Sequence, residues 1–195
     1  MNIFVLSEDV AEAARSHLDR HVVKMVVEYA QLLSTAHRVC DGRPSVRVRP
    51  NGRTQNLRLL ADEAVELREV RDEQKYVIVN PRCYSITHQN HPSAVWARET
   101  RANYLWLYAL FQELSDEYTF RYDRIHKTWN DLGEFLREPP TTIKNGNITS
   151  FAQAMGDEFK VPNNAVMAYR NYYNGAKASF ATWKRREAPS WFSPN

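Results

Sequence analysis

DRHVVKMVVEYAQLLSTAH, Asp19 to His37, decides how this chain is read. The stretch has no Gly or Pro, and Val22, Val23, Met25, Val26, Val27, Ala30, Leu32 and Leu33 would cover most of a helix. His21, Lys24, Glu28 and Gln31 stand at i, i+3, i+7 and i+10, on one face of it. A helix this apolar is expected to be largely buried, so its polar stripe must meet partners, water or a ligand. An acid, a base and amide or ammonium donors on one buried face suit the wall of a reaction site. The plainer alternative is a satisfied polar network between core helices. The pattern predicts a helix over Arg20–Val39, ended by Asp41-Gly42. Before it come a helix over Glu8–Leu18, capped by Ser7, and an extended or edge-strand start at Asn2–Leu6.

Further along, residues 42–80 read as a basic, turn-rich surface insertion. Alternation in Ser45–Arg49 and the pair Asn51-Gly52 permit a small hairpin there. Leu57–Gln74 is predicted as a charged amphipathic helix and Tyr76–Asn80 as a short strand. A long helix is expected from Pro92, with His91 as its cap, to Leu114, continued by Glu117–Arg124. His126-Lys127 opens another to about Arg137, where Pro139-Pro140 stops it. A last long helix is expected from Pro162 to about Glu187. Together these predict a mainly α, single-domain helical bundle over residues 1–195, with a short extended start and a small β insertion.

Apolar content is 43% and charged content 25%, ordinary for a globular domain, and the net charge of +3 is mild. Its distribution says more. Arg43, Arg47, Arg49, Arg53 and Arg58 crowd the insertion, and Lys184, Arg185 and Arg186 cluster near the end. Ten Tyr, eight Phe and five Trp accompany them. Arg interleaved with aromatics suits phosphate contacts and base stacking, and the alternative is core tyrosines with solvated arginines. Cys40 and Cys83 have no metal-type spacing, and reduced thiols in an intracellular protein are expected. No apolar run is long enough to span a membrane.

Besides the stripe, with His37 below it, three clusters are candidates. Asn90, His91, Arg98 and Arg101 could hold an anion at a helix start. Asp116, Arg121, Tyr122 and His126 form a second group, whose alternative is a solvated helix end. Gln153, Asp157, Arg170, Asn171 and Tyr172 could hold a base by stacking and edge hydrogen bonds. Glycine-rich phosphate loops, nucleophile elbows, His-Glu-x-x-His and Cys-x-x-Cys are missing from the sequence. His88 and His91 lack an evident third metal ligand, and no metal site is assigned.

The blocks DRHVVKMVVEYAQLLSTAH, NHPSAVWARETRANYLWLY, DEYTFRY…HK, TSFAQAMGDEFK and AYRNYY resemble a family of small bacteriophage proteins. They cover most of the chain outside the basic insertion. The resemblance is to the glycosylase-like enzymes of phage thymine hypermodification, the α-glutamyl/putrescinyl-thymine pyrophosphorylase or amino acid:DNA transferase group, related to pyrimidine-dimer DNA glycosylases. It implies a DNA-glycosylase-like helical fold in the cytoplasm of an infected bacterial host. It also implies a transferase that displaces pyrophosphate from 5-pyrophosphorylated hydroxymethyluracil in DNA with the amine of a free amino acid or polyamine.

On that reading Lys24, Arg98 and Arg101 hold the pyrophosphate, and Mg²⁺ could accompany it. Glu28 or His21 takes the amine proton. Asn103, Gln153, Asn171 and Tyr172 hold the base or the donor, and Arg121 or Arg170 binds a donor carboxylate. Arg47, Arg49, Arg53, Lys184 and Arg185 meet the DNA backbone. The related glycosylase/AP-lyase chemistry would use the amine of residue 2 after loss of Met1, paired with a Glu that follows an Arg early in a helix. Here residue 2 is Asn, whose bulk hinders Met removal, and the nearest match is Arg20-His21. A non-catalytic DNA-binding protein is the third alternative.

Overall fold

In the computed structural model, which describes residues 1–194, the Asp19–His37 stretch lies at the centre. It belongs to α2, Asp19–Cys40, which follows the short α1, Val10–Ser16. The chain start is extended but is no edge strand: Ile3, Phe4, Val5 and Leu6 are all buried among the helices. Asp9, rather than Ser7, caps α1 by accepting from the Glu12 N–H at 2.8 Å. Ser7 instead ties that turn together, donating to Glu12 at 2.8 Å and accepting from the Asp9 N–H.

Residues 42–80 are an all-β insertion. β1, Arg43–Val48, pairs antiparallel with β2, Thr54–Leu59, and β3, Ala64–Val70, with β4, Glu73–Val79. The Asn51-Gly52 signal is borne out: the Gly52 N–H returns to the Arg49 carbonyl at 2.9 Å, and Gly52 takes φ +76. The helix expected over Leu57–Gln74 is a correction. Asp62, Arg71 and Asp72 all adopt positive φ, which breaks any helix and gives the β3–β4 turn the left-handed pair that fits strand twist. The charges of this stretch suit a helix, but pairing between strands sets its state.

The long helix expected from Pro92 is two. α3, Pro92–Ala97, ends at Arg98, and α4, Arg101–Tyr122, restarts with Thr100 capping the Asn103 N–H. Arg98 and Arg101 therefore flank a break instead of sharing a face. α5, Lys127–Leu136, opens as expected at His126. The last helix is also corrected: α6 covers only Ala165–Tyr172, starts at an Asn164 cap, then widens into a π-type turn at Tyr173–Lys177 and a 3-10 turn at Ala178–Phe180. Lys184, Arg185 and Arg186 lie beyond it in irregular chain. No helix among the described residues is long and apolar enough to cross a membrane.

α2 packs against α3, α4 and α5, and the apolar core runs from Phe4 through Met25, Leu33, Leu107 and Phe111 to Tyr173. Two ionic networks tie the periphery to it. At the start of α2, Asp19 accepts from Arg121 at 2.9 Å, from the Thr182 hydroxyl at 2.7 Å and from the Lys184 N–H at 2.9 Å. Near its end, buried Arg38 makes a two-pronged pair with buried Glu63, at 2.8 and 3.0 Å, which fastens the β insertion to the helices.

Three histidines are buried neutral. Burial lowers His17 and His37 to a pKa of about 4 and His21 to about 2, from an ordinary value of 6.5. The unfolded chain takes up these protons below pH 6.5 and the folded chain does not. Their stabilisation is therefore complete above pH 6.5 and is lost as pH falls toward 4. Each should cost about 1.4 kcal/mol per pH unit in that window. Urea unfolding at pH 7 and pH 5 should show a marked loss at the lower pH, and a smaller loss in His37→Gln. Equal stability at both pH values would mean the histidines are not held neutral.

Candidate functional site

At about 100° per residue, His21 and Glu28 lie roughly 20° apart on α2, with Lys24 and Gln31 about 60–80° to one side. The stripe accordingly divides. His21 points into the core. Its Nδ1 meets the Tyr173 hydroxyl at 2.6 Å, and its ring stacks on Phe4 with centroids 4.3 Å apart. A histidine this hard to protonate is a poor acceptor at neutral pH, so it supports the wall of the site without taking protons. Lys24 is two-thirds exposed, at 68%, and reaches back to Glu28 at 3.1 Å. Gln31 is half-buried.

Glu28 has a second partner that the sequence reading did not assign. The extended start threads through the core and delivers the α-amine of Met1 to within 3.8 Å of the Glu28 carboxylate. The Met1 and Glu28 side chains are 6% and 14% exposed, and Met1 as a whole is half-buried. His91 borders them. Burial, the charge of that amine and His88 lower its pKa, while Glu28 pushes the other way. His91 caps α3, its Nδ1 accepting from the Ser93 N–H at 3.2 Å, so in the neutral ring Nε2 carries the proton and can donate. A carboxylate, an amine and an exposed ammonium thus meet around one point on α2, with the His91 imidazole near enough for their charges to act on it.

A buried relay fixes that geometry. His17 Nδ1 lies 2.7 Å from the Ala13 carbonyl and must donate to it. Its Nε2 then accepts from the Tyr29 hydroxyl at 2.9 Å, whose oxygen accepts from the Phe4 N–H at 3.2 Å. Tyr29, next to Glu28, therefore pins the segment that carries the amine. Tyr29→Phe leaves two buried groups unpaired and should cost about 1–3 kcal/mol. Hydrogen exchange checks it: the Phe4 amide should lose protection, and unchanged protection would show that the relay does not hold the segment.

The other candidates serve mainly as structure. Asn103 is buried, donates to the Trp96 carbonyl and to Thr149 at 2.9 and 2.8 Å, and closes the α3–α4 break. His37 meets the Tyr104 hydroxyl at 2.9 Å, far along α2 from Glu28. Arg121 is completely buried between Glu117, Asp19 and the Arg15 carbonyl, out of reach of a substrate carboxylate. His126 caps α5 through the Thr128 N–H. Gln153 clasps Val161 from both sides, and Asp157 pairs with Lys160. Arg170 donates to the Leu6 carbonyl at 2.9 Å and faces the Trp191 ring. Tyr172 lies between Phe159 and Lys177.

Asn90, Arg101, Asp116 and Asn171 are exposed, and Tyr122 packs on Tyr118. Arg98 donates to the Ala94 carbonyl and neighbours Cys40. Arg47 and Arg53 are exposed, and Arg49 reaches Gln55 and Glu73. Lys184 lies over the Tyr122 ring and Arg185 pairs with Asp123. The arginines proposed for a pyrophosphate do not gather at Lys24. Among the described residues no three His, Cys, Asp or Glu side chains converge, so Glu28 does not belong to a ready cation site.

Sequence reasoning missed Met1, Tyr29, His17 and Tyr173 as parts of this region. The apolar run Ile3–Leu6 ahead of a capped helix was the available signal that the start is buried. Comparison with known proteins returns no match: none to a protein-family model, none to a curated protein and none to a solved structure.

Proposed function

We propose that this chain is an enzyme acting on a base in DNA, in which an amine is the nucleophile and Glu28 takes up its proton. The supporting observation is the Met1 amine 3.8 Å from the Glu28 carboxylate. An ammonium is not a nucleophile, and a carboxylate at this distance is placed to receive the proton that must leave. Use of the chain's own amine is the reading this geometry favours, here through Met1 and not through residue 2 as in the glycosylase/AP-lyase alternative. The amine attacks C1′ of the deoxyribose, the C1′–base bond breaks, and the base departs with the bonding pair and a proton. The C1′–O4′ bond then breaks, O4′ takes up the second amine proton, and the C1′–N bond becomes an imine. His91 Nε2–H is the nearby donor for the departing base.

The transferase drawn from the family resemblance is the second reading. The exposed Lys24 ammonium beside Glu28 favours it, as a cation for an anionic leaving group. There the donor's amine binds at Glu28, a C–N bond forms at the 5-methylene of the uracil, and the C–O bond to pyrophosphate breaks. Any Mg²⁺ would arrive with the pyrophosphate, and no step is routed through it. Either reaction belongs in the cytoplasm of an infected bacterial host.

Two assays separate the readings. Borohydride added during incubation with ultraviolet-damaged DNA should trap a covalent protein–DNA adduct through Met1 if the chain's own amine reacts. Nucleoside mass spectrometry of pyrophosphorylated hydroxymethyluracil DNA, incubated with amino acids and polyamines, should show a new thymidine adduct if transfer occurs. Neither product, with DNA binding that falls as salt rises, would overturn both and leave a binding protein.

A further inference from the structure

A large cavity lies away from Glu28, between the β insertion and the helical body. Its volume is about 1190 Å³ and it is open to solvent. Small-molecule pockets are usually about 300–1,000 Å³, so this one suits a length of polymer better than a metabolite. Its charged lining is Arg38, Arg49, Arg58, Lys75, Arg82 and a single acid, Asp131. Glu63 neutralises Arg38, and Arg58 is committed to the carbonyls of Val39, near the end of α2, and of Gly42 just beyond it. Arg49 and Lys75 share half-exposed Glu73, and Arg82 lies over the Phe135 ring. The acids of the second hairpin, Glu66, Glu69, Asp72 and Glu73, do not line the cavity.

Between these cations the wall is apolar and aromatic: Leu57, Tyr76, Ile78 and Tyr84. The outer lip is the β1–β2 hairpin, which carries five arginines and no acid between Arg43 and Leu59. We infer that this cleft is a track for single-stranded DNA, with bases against Tyr76 and Tyr84 and phosphates on Arg49, Lys75 and Arg82. A single strand offers both charge and open base faces, whereas a duplex hides its bases and would use only the basic rim. The inference rests on the reading that the chain works on DNA, and it adds where the strand beyond the reacting base would run.

The test is fluorescence anisotropy of the full chain with a labelled oligothymidine of about 16 nucleotides and with a duplex of equal length. Tyr76→Ala should weaken single-strand binding roughly tenfold and leave duplex binding unchanged, and Tyr76→Phe should restore it. Arg82→Ala should lower the slope of log affinity against log salt by about 0.7 for one lost phosphate contact. Photocrosslinking of a bromodeoxyuridine strand to the unaltered chain, which needs no variant, should mark Tyr76 or Tyr84. Equal effects on both DNA forms, no effect on either, or crosslinks confined to other residues would overturn the track. A preference for an acidic peptide over the oligonucleotide would overturn it too. Glu28→Gln should leave this binding intact, so failure of the track and failure of the Glu28 chemistry are read separately.

Discussion

Arg38→Ala should cost about 3–5 kcal/mol of stability, because it leaves the Glu63 carboxylate buried without its cation. The loss extends past the pair. Arg38 also donates to the backbone carbonyls of Arg58, Cys83 and Tyr84, and Glu63 accepts from the Leu60 and Arg82 N–H groups at 2.9 Å. Burial alone would raise the Glu63 carboxyl. The Arg38 guanidinium and the two N–H donors outweigh that and hold it below its ordinary range. Its contribution is therefore present at neutral pH and is lost as pH falls through that lowered value.

Urea unfolding followed by tryptophan fluorescence would measure the change, since every Trp lies outside the β insertion. A double Arg38→Met, Glu63→Leu variant should recover part of the loss, because apolar side chains avoid the buried charge. Recovery should stay incomplete, since the backbone groups that the pair serves remain unpaired. A single variant as stable as the parent would show that the pair does not fasten the insertion.

Glu28→Gln should lower turnover about 10²–10⁴-fold in whichever reaction the chain performs. The amide keeps the shape of the carboxylate but cannot take the proton from the amine. Stability should change little, because the pairs to Lys24 and Met1 lie at the edge of the core and Lys24 is solvated. The pattern separates chemistry from structure: a large fall in kcat with an unchanged Tm. Acetylating the Met1 amine adds an independent arm. It should abolish borohydride trapping in the own-amine reaction and leave amine transfer possible. If Glu28→Gln and Lys24→Ala both keep full turnover, the site is elsewhere.

Much of this architecture is legible in the residues. The apolar run of α2, the His91 cap, the break at Pro139-Pro140 and the Asn51-Gly52 turn are local signals, and each acts within a few residues of itself. The failures were equally physical. Leu57–Gln74 carries charges that a helix tolerates, and only pairing between β3 and β4 made it strand. The Arg98–Thr100 break depends on Asn103 finding partners at Trp96 and Thr149, the latter 46 residues away. α6 stops short as the chain widens at Tyr173, whose hydroxyl meets His21 from 152 residues away.

The site divides in the same way. Sequence by itself determined that α2 carries an acid and an ammonium on one side of a buried helix, because helical periodicity follows from spacing alone. Only the tertiary structure decided which of those groups could act. Threading the start of the chain through the core places the Met1 amine beside Glu28. Burial works against protonation of His21, and ion pairing commits Arg121 to the scaffold. Availability of a side chain is set by what packs against it, and those neighbours come from distant parts of the chain.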